Sequence, residues 1–422
     1  MRAALALALA AVAAQSCAAV APEASISPAP ASTAAAVPTA EPTPTVDRAT
    51  AQPSPLPTAT PFRVCPSPQK IVGDVSLSPI CVPGANVLVE NAFSYADLQA
   101  LYDQVVDDLA AVQQEFAWTL RGSPTIEVFA TTASYRTGLV HEFGYSGATA
   151  AFVAENSVAF FEPDLRAILV NWEAVQGRRP IAAIRHELTH FVTLEACEPR
   201  CDLVPAWLNE GQARLAEAMI PGGEWRLTRV RYEAASMVAT KTLMPLSSLV
   251  SQGQWNNITS WAGYYKYQEA ARATELLRAD IGGTQPIARL YERLRRGEDV
   301  ARAYASLTGR TFDSFIGGLA SRFTEGIPAG PAIVTTAGPQ AGHGVGYLLY
   351  GFASEEKVTL RVVGRRILET EEIAVSPQGA HFAEIEDRYP PGTYVIAVTS
   401  GDTVIASTTF EKRGGRPIQL RD

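Results

Sequence analysis

Three textures follow one another along the chain, each with its own spacing of apolar residues. In the first, short apolar runs alternate with helical patterns. "ANVLVENAF" (85–93) reads as a strand. Ser94, with Asp97 three positions later, opens a helix by the capping pattern, and "LQALYDQVVDDLAAVQQEFAWTL" continues it with apolar residues at helical spacing. "TIEVFAT" and "AILVNW" are two further strands. Pro180 fits the first turn of a helix that runs to about Ala196. Asp202 and Pro205 start another, which carries "AWLNEGQARLAEAM". The second texture is all helical and reaches about Phe323 through "YQEAARATELLRADI" and "TFDSFIGGLASRF". After "EGIPAGPA" the third begins: "GYLLYGF", "EKVTLRVVG", "TYVIAVTS" and "TVIASTTF" are short, β-branched and aromatic, with a hairpin turn at Ser400 to Asp402. The pattern predicts an α+β domain over 63–326, then a small all-β, Ig-like sandwich over 331–415. There is no repeat of solenoid type.

The first 62 residues belong to neither. Arg2 precedes "AALALALAAVAA", an apolar run of signal-peptide type that is too short to span a bilayer. "AQSC", Ala14 to Cys17, resembles a bacterial lipobox, although Leu is more usual where Ala14 stands. That resemblance implies a lipid on Cys17, membrane association and an extracytoplasmic protein. A plain secretion signal cut near Ala18 is the rival. Residues 18–62 are almost wholly Ala, Pro, Ser and Thr and cannot form a core. Extended as polyproline, such a segment reaches on the order of 100 Å, which suits a stalk. A tail of no geometric importance fits equally.

Composition narrows the rest. A length of 422 residues allows two or three domains, and 47% apolar with 18% charged residues fits a globular chain. The net charge of −8 argues against a nucleic-acid partner, since phosphate binding needs a basic face. Setting Cys17 aside leaves Cys65, Cys81, Cys197 and Cys201 of the five cysteines. In an oxidising compartment four cysteines can make two bridges, and proximity favours Cys65–Cys81 and Cys197–Cys201.

The chemistry concentrates in "RHELTHFVTLEACEPRCDLVPAWLNEG", Arg185 to Gly211. His186 and His190, at i and i+4 on a helix, present two imidazoles on one face, close enough for one ion. A catalytic zinc takes three protein ligands, keeps a fourth position for water and lowers the pKa of that water. Glu187 is turned about 100° around the helix from His186, so it can flank the water rather than bind the metal. Glu210, 20 positions after His190 on the next helix, is the candidate third ligand. A surface helix with a polar stripe is the bland alternative. Glu195 and Glu198 carry no assignment. His141 with Glu142 lacks a second His at i+4 and reads as ordinary loop chemistry, and His343 and His381 read as surface residues.

"HELTH", 19 residues, then the Glu of "WLNEG" resembles the gluzincin, or thermolysin-like, zinc metallopeptidases; "PAWLNEGQA" looks like the bacterial peptidase MA-like domain proteins. The resemblance covers roughly 84–325 and implies a zincin-like domain with a small sheet above the active-site helix and a helical lower half. It implies one zinc ion on His186, His190 and Glu210, with Glu187 as general base and then acid. It also implies a Tyr that stabilises the oxyanion: Tyr267 fits best, with Tyr264 and Tyr265 as alternates. The strand "RAILVNW", Arg166 to Trp172, sits where the family's edge strand pairs with an extended peptide. Two departures stand out. Arg214 occupies the position four after the third ligand, where thermolysin has an acid that orients a zinc His, so the partner of His186 is unassigned. The Gly-x-Met-Glu-Asn signature of the related aminopeptidases is missing.

The expectation is an extracytoplasmic zinc metallopeptidase that acts on a peptide or protein substrate. The second hypothesis is a cell-surface binding or scaffold protein that works through its β-sandwich, whose partner the sequence does not identify.

Overall fold

The computed structural model describes residues 62–66, 68–175, 181–220, 223–258, 260–340, 343–364, 367–385, 392–401 and 403–412. The leader, the Cys17 motif, residues 18–61 and Pro180 lie outside them. The chain is a mixed α/β protein with two further antiparallel sheets at its C-terminal end.

Six strands form the first sheet: β1 (Lys70–Val72), β2 (Val75–Val82), β3 (Ala85–Glu90), β4 (Thr125–Phe129), β5 (Ala159–Glu162) and β6 (Ala167–Asn171). They lie in the order β1-β2-β3-β4-β6-β5. β3, β4 and β6 run parallel, and the other pairs are antiparallel. Parallel neighbours need crossovers. The helix Tyr95–Phe116 supplies the first, and Thr132–His141 with Gly147–Asn156 supply the second. Ser94 caps the first helix as expected: its Oγ accepts from the Asp97 N–H at 3.2 Å. Ile126, Val128, Ile168 and Val170 face one helical layer, while Phe129 and Leu169 face the other. β6 is therefore buried on both faces and reads in sequence as an unbroken apolar run.

Below the sheet lie four helices that matter here. We call Ala182–Cys197 the histidine helix, Ala206–Ala218 the glutamate helix, Glu224–Ala239 the junction helix and Ser260–Ile281 the tyrosine helix. The glutamate helix starts later than Asp202. Cys201–Leu203 is a single 3-10 turn, and Val204, with Pro205 after it, is extended at φ −86°, ψ 110°. A residue preceding proline is pushed out of the helical region, so the helix begins only after Pro205. Both favoured disulfides are present, Cys65–Cys81 and Cys197–Cys201.

The C-terminal strands are β7 (Ala332–Gln340), β8 (His343–Tyr350), β9 (Lys357–Val363), β10 (Ile367–Ala374), β11 (His381–Ile385), β12 (Gly392–Ser400) and β13 (Thr403–Lys412). They form sheets ordered β10-β9-β12-β13 and β11-β8-β7, which share one core of Ile333, Leu349, Leu360, Val362, Ile396 and Val398 among others. Gly401, at φ +56°, turns the predicted β12–β13 hairpin. The side chain of His343 lies outside the described residues. His381 is not a surface residue. It is half-buried 6.1 Å from the Tyr347 ring, and burial followed by the nearby Arg229 charge lowers its pKa to about 4.

Candidate metal centre

The histidine helix is fixed at both ends before its ligands are considered. At its start the Ile181 N–H donates to Gln104 Oε1 at 3.1 Å. One turn along the same partner helix, Asp108 accepts from Arg185 Nε at 2.7 Å, and both groups are buried. Burial outweighs the Arg185 charge and lifts the Asp108 pKa to about 6. At its far end Glu195 is fully buried. Its carboxylate accepts from Trp118 Nε1 (3.2 Å), the Arg121 and Gly122 N–H groups (2.8 and 3.0 Å) and Arg166 Nη1 (3.1 Å). Glu198 meets Arg121 and Arg166. The two glutamates without a sequence assignment thus tether the helix to the loop after Phe116 and to the turn before β6.

Between these anchors, His186, Glu187 and His190 point away from the core face made by Leu188, Phe191 and Val192. The glutamate helix brings Glu210 to them. It packs closely on the tyrosine helix because residue 211 is glycine; a Cβ there would lie 2.4 Å from the Ala270 carbonyl oxygen. The Cys197–Cys201 bridge closes the connection between the two ligand-bearing helices.

The nearest donor atoms of His186, His190 and Glu210 all lie within 4.8 Å of one another. Glu210 Oε2 is 3.6 Å from Nε2 of each imidazole. That separation is longer than a good hydrogen bond. It is close to the edge of a tetrahedron with ~2.0–2.1 Å metal bonds. The opposite nitrogens are engaged as metal-bound imidazoles require. His186 Nδ1 is 2.6 Å from Glu217 Oε1, and His190 Nδ1 is 3.1 Å from Asn209 Oδ1. With Nδ1 facing these acceptors, the Nε2 atom of each ring faces Glu210. Two imidazoles and a carboxylate form a donor set that could hold a metal ion.

Charge supports the same layout. Burial would raise the Glu217 pKa, but Arg214, His186 and Arg226 hold it down at about 2. Arg214 is thus the clamp on the carboxylate that orients His186, which explains why an arginine stands at that position. Glu187 is 5% exposed. Burial lifts its pKa to about 7, opposed by His186 and by the Phe161 N–H that donates to it.

Of the three tyrosines, the structure brings Tyr267 to the histidines. Its ring centroid lies 6.5 Å from that of His186 and 4.9 Å from Trp255. Tyr264 donates to Glu233 at 3.0 Å, and the Tyr265 hydroxyl lies 2.8 Å from Ser376 Oγ in the β region. No protein-family model matches this chain, and the curated proteins contain no match.

A cleft of about 440 Å³ opens on His186, His190 and Glu210. One wall is β5 with Pro163; another is the end of the histidine helix with the disulfide, and the third is Val250–Gln252. The expected edge strand needs correction. "RAILVNW" forms β6, which is paired on both sides, and the edge is β5, "AFFE". The turn between them, with Arg166 at φ +51°, folds β5 outside β6. Sequence reasoning missed β5, Asn209 and Glu217. A signal existed for the last: Glu217 follows Glu210 by two helical turns and so shares its face.

Proposed function

We propose that this chain is a zinc metallopeptidase of gluzincin type that hydrolyses peptide bonds outside the cytoplasm. The observation that carries the proposal is the convergence of His186, His190 and Glu210, with Glu217 and Asn209 holding the two far imidazole nitrogens. When bound, zinc supplies Lewis acidity, which polarises a carbonyl and makes a water a better nucleophile near neutral pH.

The chain's own groups divide the remaining work. Glu187 takes the proton of the attacking water on its carboxylate and returns it to the departing amine. Without the metal, burial already holds its carboxyl above the usual range, which favours a group that must take up a proton. Tyr267, beside His186, is the candidate donor to the oxyanion. The free edge of β5 offers backbone groups to an extended peptide, a mode that reads main chain more than side chains. The two disulfides fit an oxidising compartment. Among the described residues no helix is long and apolar enough to cross a membrane, so attachment would come through the lipid at Cys17.

The test is Glu187→Gln, assayed on a peptide library with a chelator control. The variant should keep one equivalent of zinc and lose about 10³-fold or more in kcat. Cleavage at the parent rate would sink the mechanism, and bound zinc with no turnover in the parent would favour the scaffold alternative.

A further inference from the structure

The C-terminal sheets are docked on the helices that carry the metal's supporting residues. Phe382 of β11 stacks on Trp225 of the junction helix, with centroids 5.4 Å apart and planes 14° apart. The Arg226 guanidinium lies over the same indole at 4.4 Å, and its Nε is 3.9 Å from Glu217 Oε2. Glu217 in turn holds His186 Nδ1. Arg229 covers the Phe382 ring at 4.2 Å and is itself held by Glu233 at 2.9 Å. An unbroken series of contacts therefore runs from a β-strand side chain to a metal-ligand histidine.

The junction around this series is tightly fitted. Ser236 Oγ donates to the Gln378 carbonyl at 2.7 Å and accepts from the Gly351 N–H at 3.0 Å. Tyr265, two residues before Tyr267, meets Ser376. Gly379, at φ +70°, lets the loop press so close that a Cβ would stand 2.3 Å from the Phe352 carbonyl and 2.8 Å from Thr240 Cγ2. Interlocked backbone and side-chain partners of this kind leave the β region no freedom to swing on a tether.

We propose that the C-terminal β region is a buttress for the metal centre, and that Phe382 is a positioning residue acting on His186 through Trp225, Arg226 and Glu217. Loss of the ring lets Trp225 and Arg226 relax, weakens the hold on Glu217 and frees the imidazole to turn. The proposal rests on the peptidase reading for its importance to catalysis, but its central measurement does not.

The test uses the full chain with isotope-labelled histidine. In metal-free protein a His186 Nδ1–H donated to the buried Glu217 carboxylate should resonate far downfield and report that hydrogen bond. In Phe382→Ala this resonance should move upfield or broaden, and zinc affinity, from competition with a chromophoric chelator, should fall about 10-fold. Phe382→Tyr, which keeps the ring, should match the parent in both, as should Val404→Ser at an exposed site on β13. Phe382→Leu keeps bulk without a ring and decides the matter in the same way should the alanine variant not fold. An unchanged resonance and unchanged zinc affinity in the ringless variant overturn the buttress. The resonance needs no metal, so a parent protein that bound no zinc would defeat the peptidase reading while still deciding this one.

Discussion

Glu217 is the partner of His186 that the sequence left unassigned. Arg214 stands one turn before it on the same helix and pairs with it. Supporting carboxylates of this kind are worth about 10- to 100-fold in metal affinity. Glu217→Ala should therefore weaken zinc binding by that factor in a chelator competition, whereas Glu217→Gln, which can still accept from Nδ1, should weaken it less. Gly211→Ala should act through packing. Its methyl group would meet the Ala270 carbonyl, the glutamate and tyrosine helices must part, and overpacking of this kind costs about 1–3 kcal/mol, visible as a lower melting temperature. The grouping of His186, His190 and Glu210 was legible because a four-residue repeat of His on one helix has few structural uses. Their supports were not, since a glutamate or asparagine on the inner face of a helix looks the same whether it meets a lysine, water or an imidazole.

Elements explain why the site stands where it does. The histidine helix hangs between Asp108–Arg185 at one end and the Glu195 cluster at the other. Removing one member of a buried pair leaves an uncompensated charge, so Arg185→Ala should cost about 3–5 kcal/mol in urea unfolding. The double variant with Asp108→Ala should cost less than the sum of the two single changes, because the orphaned carboxylate is gone. Capped helices were easy to read: Ser94 opens its helix where the pattern puts it, while the later start of the glutamate helix follows from Val204 being held extended before Pro205. Strands buried on both faces were harder. β5 is four residues of continuous burial between a helix and Pro163, with no alternation to reveal it, and the longer β6 drew the edge assignment instead.

At the scale of the molecule, the sequence marked where the β region begins but not what it rests on. Trp225 and Phe382 are far apart in the chain, and neither carries a mark of the other. The junction has a pH signature. His381 titrates at about 4 in the folded protein against 6.5 when unperturbed, so between those values the unfolded chain binds the proton and the folded one does not. Stability should fall as pH drops from 6.5 to 4, and His381→Gln should flatten that part of a stability-versus-pH curve. One last consequence concerns β5. An unpaired strand edge beside a cleft is also a template for another copy of the same chain, and edge-to-edge pairing is a common start of aggregation. Here the unpaired edge is four buried residues long and Pro163 follows it at once, leaving little ladder for two molecules to share. A strand this short presents a second copy with few backbone groups to pair with.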